Sequence, residues 1–146
     1  MRVLALDHGT VRIGCAISDP SGTLARPMPV IEPPEARAVS ELVDEHGVEK
    51  VVVGLPLHLS GEEGSQAGLA RSFCRELEAM LSVPVETYDE RLTSRMADAS
   101  RRGGASAARD SLAAAHLLES YLASSPDTEA LIPLDEEGMR DEEEDL

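Results

Sequence analysis

Short, unbroken apolar runs alternate along this chain with longer segments of helical period, and the two patterns together predict most of its elements. Val3-Leu4-Ala5-Leu6 is apolar without alternation and ends in Asp7. A run of that kind suits a central strand covered on both faces, here from Arg2 to Asp7. After a His8-Gly9-Thr10 turn, a second apolar run predicts a strand from Val11 to Ser18, in which Gly14 marks a bulge or a close approach. A Ser21-Gly22 turn then leads into a third strand, Thr23 to Ile31. Pro27 and Pro29 cannot donate to a ladder, so this strand belongs at the sheet edge. Three sequential strands joined by short turns form an antiparallel meander.

The pattern then changes. Ala38, Val39, Leu42 and Val43 follow helical spacing, and Gly47 closes a predicted helix from Glu35 to His46. Lys50 to Gly54 is a second fully apolar strand, followed by a loop from Leu55 to Gly64. Ser65 to Leu81 reads as a helix with Leu69, Phe73, Leu77 and Met80 on one side. Pro84 and Val85 open a strand that runs to Tyr88. A short helix to about Arg102 is expected after Thr93 or Ser94, which suit its N-cap. Gly103 to Ala108 is a loop of small residues. A last helix starts at Arg109 or Asp110 and ends near Ala123, with Ala113, Ala114, Leu117, Leu118, Tyr121 and Leu122 as its apolar stripe. Parallel βαβ units following a meander predict an α/β fold: one mixed sheet of five strands, three antiparallel and two parallel, with helices on both faces.

Composition narrows the class. The 146 residues suit one domain with a full core, and no apolar run reaches the length of a membrane span. Neither a membrane partner nor a signal peptide is expected. Cys15 and Cys74 lie inside apolar patterns and read as reduced core thiols of a cytoplasmic protein. Aromatic residues make up 2% of the chain, which argues against a face built on base stacking. The net charge of −15 is uneven: residues 124–146 carry ten acidic groups against one Arg. Residues 1–123 therefore read as the folded domain, and 124–146 as an acidic, disordered tail.

The chemistry sits where the parallel strands end, the edge at which open α/β sheets collect ligands. Asp7 ends the first strand, Asp89 and Glu90 end the Val85 strand, and Asp110 falls in the first turn of the last helix. Clustered carboxylates repel one another, and a divalent cation removes that cost. Each residue also has an ordinary structural reading. Asp7 precedes a turn that Gly9 permits, Asp110 suits a helix N-terminus, Glu90 can pair with Arg91, and Asp89 can cap the following helix. Asp19 before Pro20 is a turn residue. His8 and His58 lie near the proposed site but read as incidental, His46 suits a helix C-terminus, and His116 reads as structural.

Four stretches, LALDHGTVRIGCAISD, VVVGLPLHLSGEEGSQA, PVETYDERLTS and RDSLAAAHLLESYL, resemble in order and spacing the blocks of the YqgF (RuvX-type) family. The resemblance covers residues from about 1 to 123. It implies an RNase H-like fold and a cytoplasmic, metal-dependent nuclease. Family members are described as Holliday junction resolvases or as nucleases processing rRNA precursors. It also implies Asp7, Glu90 and Asp110 as catalytic carboxylates holding Mg²⁺ or Mn²⁺, with Asp89 as a further candidate ligand. Arg12, Arg91, Thr93 and Arg109 are implied as substrate-binding positions, as are Gly54 and Pro56 in a loop beside the site. The partner expected on this resemblance is nucleic acid, RNA or DNA, and a monomer or a homodimer is expected.

One departure stands out. Lysines usual in the family before the last-helix aspartate are replaced here by Gly103 to Ala108, which leaves Arg109 as the basic residue. Arg95, Arg101, Arg102 and Arg109 can supply a basic strip instead. Two other readings remain open at this stage. One is a binding module that keeps the fold without catalysis. The other is an actin-like or sugar-kinase-type nucleotide domain, which also opens with Asp-x-Gly-Thr after a buried strand.

Overall fold

The computed structural model describes residues 1–56, 64–90, 107–124 and 131–132. Its elements run β1 (Val3–His8), β2 (Ile13–Ser18), β3 (Ala25–Ile31), α1 (Ala36–His46), β4 (Lys50–Leu55), α2 (Ser65–Met80), β5 (Val85–Asp89), α3 (Ala107–Ala123) and β6 (Leu131–Ile132). They build one mixed sheet in the order β3-β2-β1-β4-β5-β6. β1 pairs antiparallel with β2 and parallel with β4, and β4 pairs parallel with β5. The expected meander and the two expected parallel strands are all present.

The unbroken apolar runs have a direct structural cause. Alternate residues of each central strand enter different cores. Leu4, Leu6, Val51 and Val53 pack toward α1 and α2, together with Phe73, Cys74 and Leu77. Val3, Ala5 and Val52 pack on the other face with Ala114, Leu117 and Leu118 of α3. Along Val3 to Leu6 and Val51 to Val53 neither face is left for polar side chains. Gly47 takes the left-handed conformation that closes α1, with φ of 65°.

The structure departs from expectation at three places. In α2 the buried line is Ala67, Ala70, Phe73, Cys74 and Leu77, while Leu69 and Met80 are 46% and 48% exposed. Small alanines let the helix sit close to the sheet, which turns the larger Leu69 outward. α3 begins at Ala107, ahead of the expected start at Arg109 or Asp110, with Asp110 in its first turn as expected. The sheet also gains a sixth strand from what reads in sequence as tail: Leu131 and Ile132 pair antiparallel with Tyr88 and Thr87. These two apolar residues satisfy the outer edge of β5, which five strands alone would leave open. The predicted short helix to Arg102, positions 57–63 and 103–106 of the two predicted loops, and positions 125–130 and 133–146 of the tail lie outside the described residues.

Candidate active site

Asp7 is the residue at which the α3 face of β1 stops being apolar. Val3 and Ala5 precede it on that face by the two-residue alternation of the strand. His8 falls on the other face, where its ring stacks on Phe73 at 4.6 Å between centroids. Burial, the largest influence on His8, holds its pKa below the ordinary value against the opposing pull of Asp7 and Glu76. The imidazole is therefore a neutral packing group at neutral pH, as its incidental reading requires.

Asp7 pairs across the ladder with Gly14. Gly14 is also where the β2–β3 register shifts, between Ile13 and Cys15. A Cβ at Gly14 would collide with the backbone carbonyl of Asp110. The bulge and the close approach expected at this glycine thus occur together. They have one purpose: the first turn of α3 lies directly on β2, over the strand pair that carries Asp7. The Ser111 hydroxyl fastens that turn by donating to the Met28 carbonyl at 2.5 Å. No sequence pattern announces the role of Ser111, or that the close approach expected at Gly14 is made by Asp110, because both depend on a contact between residues far apart in the chain.

Glu90 approaches from the other side. It follows β5, whose even-numbered residues Glu86 and Tyr88 face α3. A Cβ at Gly54 would stand 2.6 Å from Glu90 Oε2 and 3.1 Å from a Leu117 methyl. Gly54 on β4 therefore forms a recess for the Glu90 carboxylate beside β1. Asp89, one residue earlier, belongs by alternation to the α1–α2 face, and it is 7% exposed. It does not share the face of Asp7 and Glu90.

Arg12 links the site to its surroundings. Its Nη1 donates to Asp110 Oδ2 at 3.0 Å, and its Nε lies 3.5 Å from Glu32 Oε1. The hydrogen bond to Asp110 is the main cause that raises the guanidinium pKa. Glu32 has no part in the expectations from sequence. It comes from the segment after β3, and only the fold brings it to Arg12. Arg109 lies in the first turn of α3, half-buried, and Pro56 ends the described part of the β4 loop. Arg91, Thr93, His58, Arg95, Arg101 and Arg102 lie outside the described residues.

Asp7, Glu90 and Asp110 thus come from a strand end, a strand exit and a helix first turn to one edge of the sheet. Among the described residues no three His, Cys, Asp or Glu side chains stand close enough to form a metal-holding group. The donor set is nonetheless of the right kind, since carboxylate oxygens are the ligands that hard divalent cations take. The recess at Gly54, which a side chain would fill, is room kept for one of these carboxylates.

The family model for RuvX, described as Holliday junction resolvase, matches residues 1–124. The chain belongs to the RuvX family. Relatives in this family include a Chloroflexus aurantiacus protein, 46% identical over 131 residues, covering 82% of this chain and 85% of that one. A Desulforudis audaxviator relative is 43% identical and covers 84% of this chain and 94% of its own length. Both are named, provisionally, as pre-16S rRNA nucleases. The fold is that of Thermus thermophilus RuvC, solved with a Holliday junction substrate: TM-score 0.59, 19% identity, 90% of this chain and 99% of that one. This RuvX-family chain is accordingly a nuclease with an RNase H-like fold, as its motifs imply. No helix among the described residues is long and apolar enough to cross a membrane.

Proposed function

We propose that the chain is a divalent-metal-dependent nuclease whose catalytic carboxylates are Asp7, Glu90 and Asp110. The observation that carries this reading is their convergence on one sheet edge, with Gly14 and Gly54 making room for two of the three. Asp7 is the central member, since the Asp110 turn and the Glu90 recess lie on either side of its strand. The three carboxylates would hold Mg²⁺ or Mn²⁺, which supplies an activated water and stabilises the leaving oxygen. Arg12 restrains Asp110 and offers a positive group at the rim, with its side chain 20% exposed, where a backbone phosphate would arrive. Arg109 adds a second cation in the same helical turn.

The substrate proposed is an rRNA precursor, in keeping with the names of relatives more than 40% identical over most of their length. The RuvC likeness supports only the fold. The deciding experiment is cleavage of labelled 16S rRNA precursor, single-stranded DNA and a four-way DNA junction by wild type and Asp7→Asn. Each is run with Mg²⁺, Mn²⁺ or EDTA. Metal-dependent cutting of the precursor, reduced by about a thousandfold or more in Asp7→Asn, is the expected result. Cutting that survives both EDTA and Asp7→Asn refutes the carboxylate site. Binding without turnover turns the reading toward a module that recognises nucleic acid without cleaving it.

A further inference from the structure

A groove of about 630 Å³ runs between β3 and α1, and Glu32, one of the two partners of Arg12, lies in its lining. Its floor is apolar. Met28, Ile31 and Leu42 line it while packing against the larger core, and each is only half-buried. Its rim is acidic. Glu35, Glu41 and Glu45 are exposed along it and pair with no cation among the described residues.

Ala38, Glu41, Leu42 and Glu45 recur at helical spacing along the wall of the groove. Glu41 and Glu45 are like charges four residues apart, which disfavours the helix. A partly exposed apolar stripe flanked by unpaired carboxylates is complementary to one kind of surface: an apolar stripe flanked by cations.

We infer that this groove docks a cationic amphipathic helix of a partner protein. Strand addition is disfavoured, because Pro27 and Pro29 remove two donors from β3, the edge strand of the sheet. A helix laid in the groove meets no such obstacle, and its apolar face would cover Met28 and Leu42. α1 is 11 residues long, so a matching segment is roughly three turns. Charge also decides against other occupants. Residues 124–146 of this chain carry ten acidic groups and one Arg, so the tail is repelled. Nucleic acid is repelled for the same reason, which separates this face from the substrate path.

The test uses the full chain and two fluorescent 12-residue probe peptides, one with Leu and Lys in helical alternation and one of Lys and Ser with equal charge. Anisotropy titrations at physiological salt compare wild type, Glu41→Lys/Glu45→Lys, and Glu142→Gln/Glu143→Gln/Glu144→Gln. The expected result is saturable binding of the Leu–Lys peptide, weakened about tenfold by the groove variant and unchanged by the tail variant. The Lys–Ser peptide should bind wild type about tenfold more weakly than the Leu–Lys peptide, since it lacks the apolar face. Circular dichroism checks that both variants keep the wild-type helix content; Glu41 and Glu45 are exposed.

Equal binding of the two peptides overturns the inference, because the apolar floor then contributes nothing. Loss of binding in the tail variant overturns it by assigning the contact to the tail. A wild-type dimer in sedimentation that the groove variant dissociates also overturns it, by giving the groove to a second copy. The same titration leaves the proposed nuclease site intact, so cleavage by the groove variant is measured beside it and is expected at the wild-type rate.

Discussion

The two ends of α3 hold comparable charges and treat them in opposite ways. At its C-terminal end Tyr121, Lys50 and Glu86 form a closed set. Lys50 Nζ donates to Tyr121 Oη at 2.9 Å and pairs with Glu86 Oε2 at 3.2 Å, and Tyr121 Oη donates to Glu86 Oε1 at 3.1 Å. One ammonium meets one carboxylate, with a hydroxyl between them. At the N-terminal end three carboxylates, Asp7, Glu90 and Asp110, approach one edge; Arg12 beside them is shared between Asp110 and Glu32, and Arg109 lies in the same helical turn. The first arrangement is what a fold does with charge when only stability is at stake. The second brings carboxylates to an edge where Gly14 and Gly54 leave space, and the divalent cation proposed above would offset their charge there.

The sharpest way to break this contrast is to neutralise one member at the N-terminal end. Asp110→Asn keeps the size of the side chain and should lower the cleavage rate by about a hundredfold or more, with a melting temperature close to wild type. A variant that cleaves normally would make Asp110 a helix-capping residue and the N-terminal end a purely structural one. Next in size is Gly14→Ala. Its methyl meets the Asp110 carbonyl, and displacing α3 should cost about 1–3 kcal/mol in urea unfolding. The same variant should lose cleavage in proportion to the displaced Asp110.

At the other end the expected effects are on stability alone. Lys50→Met leaves Glu86 without its cation and should cost about 1–2 kcal/mol, less than a fully buried pair because both side chains keep some contact with water. Cleavage should be unchanged. This end also predicts a pH dependence. Burial is the largest influence on Lys50 and disfavours its charge, but the hydrogen bonds to Tyr121 and Glu86 together outweigh it and hold the pKa above 10.5. The native state therefore binds this proton more tightly than the unfolded chain. The stabilisation is complete below pH 10.5 and is lost as pH rises through the raised value. Tyr121, raised above 10.0 chiefly by burial, has the same sign. Wild-type stability should fall more steeply above pH 10 than that of Lys50→Met. Parallel curves would mean that the pair contributes nothing. The smallest effect belongs to Tyr121→Phe, about 1 kcal/mol of lost hydrogen bonding, read as a small drop in melting temperature.

Much of this was legible in the chain itself, and the reasons are specific. Unbroken apolar runs at Val3 to Leu6 and Val51 to Val53 can only be strands buried on both sides, and the prolines at 27 and 29 can only sit at an edge. Those local constraints, with helical spacing between them, determined the mixed sheet, and the order of the motif blocks determined the family. The same patterns were silent about which side of a helix meets the sheet. Leu69 and Met80 looked like core, but the small Ala67 and Ala70 set the orientation of α2. They were silent as well about Leu131 and Ile132, because an edge strand of two residues is specified by the open edge it meets rather than by its own sequence.

The site divides in the same way. An aspartate at the end of a buried strand marks Asp7 as a candidate from sequence, and family motifs mark Glu90 and Asp110. Tertiary structure alone decided which groups share a face. Strand alternation separates Asp89 from Glu90, although they are neighbours in sequence. Contact across 98 positions puts Arg12 on Asp110, and the missing side chains of Gly14 and Gly54 decide how near the carboxylates can come. Sequence determines what each short segment prefers to be, because those preferences are local. Where charges meet depends on distances between segments, and those exist only once the core has closed.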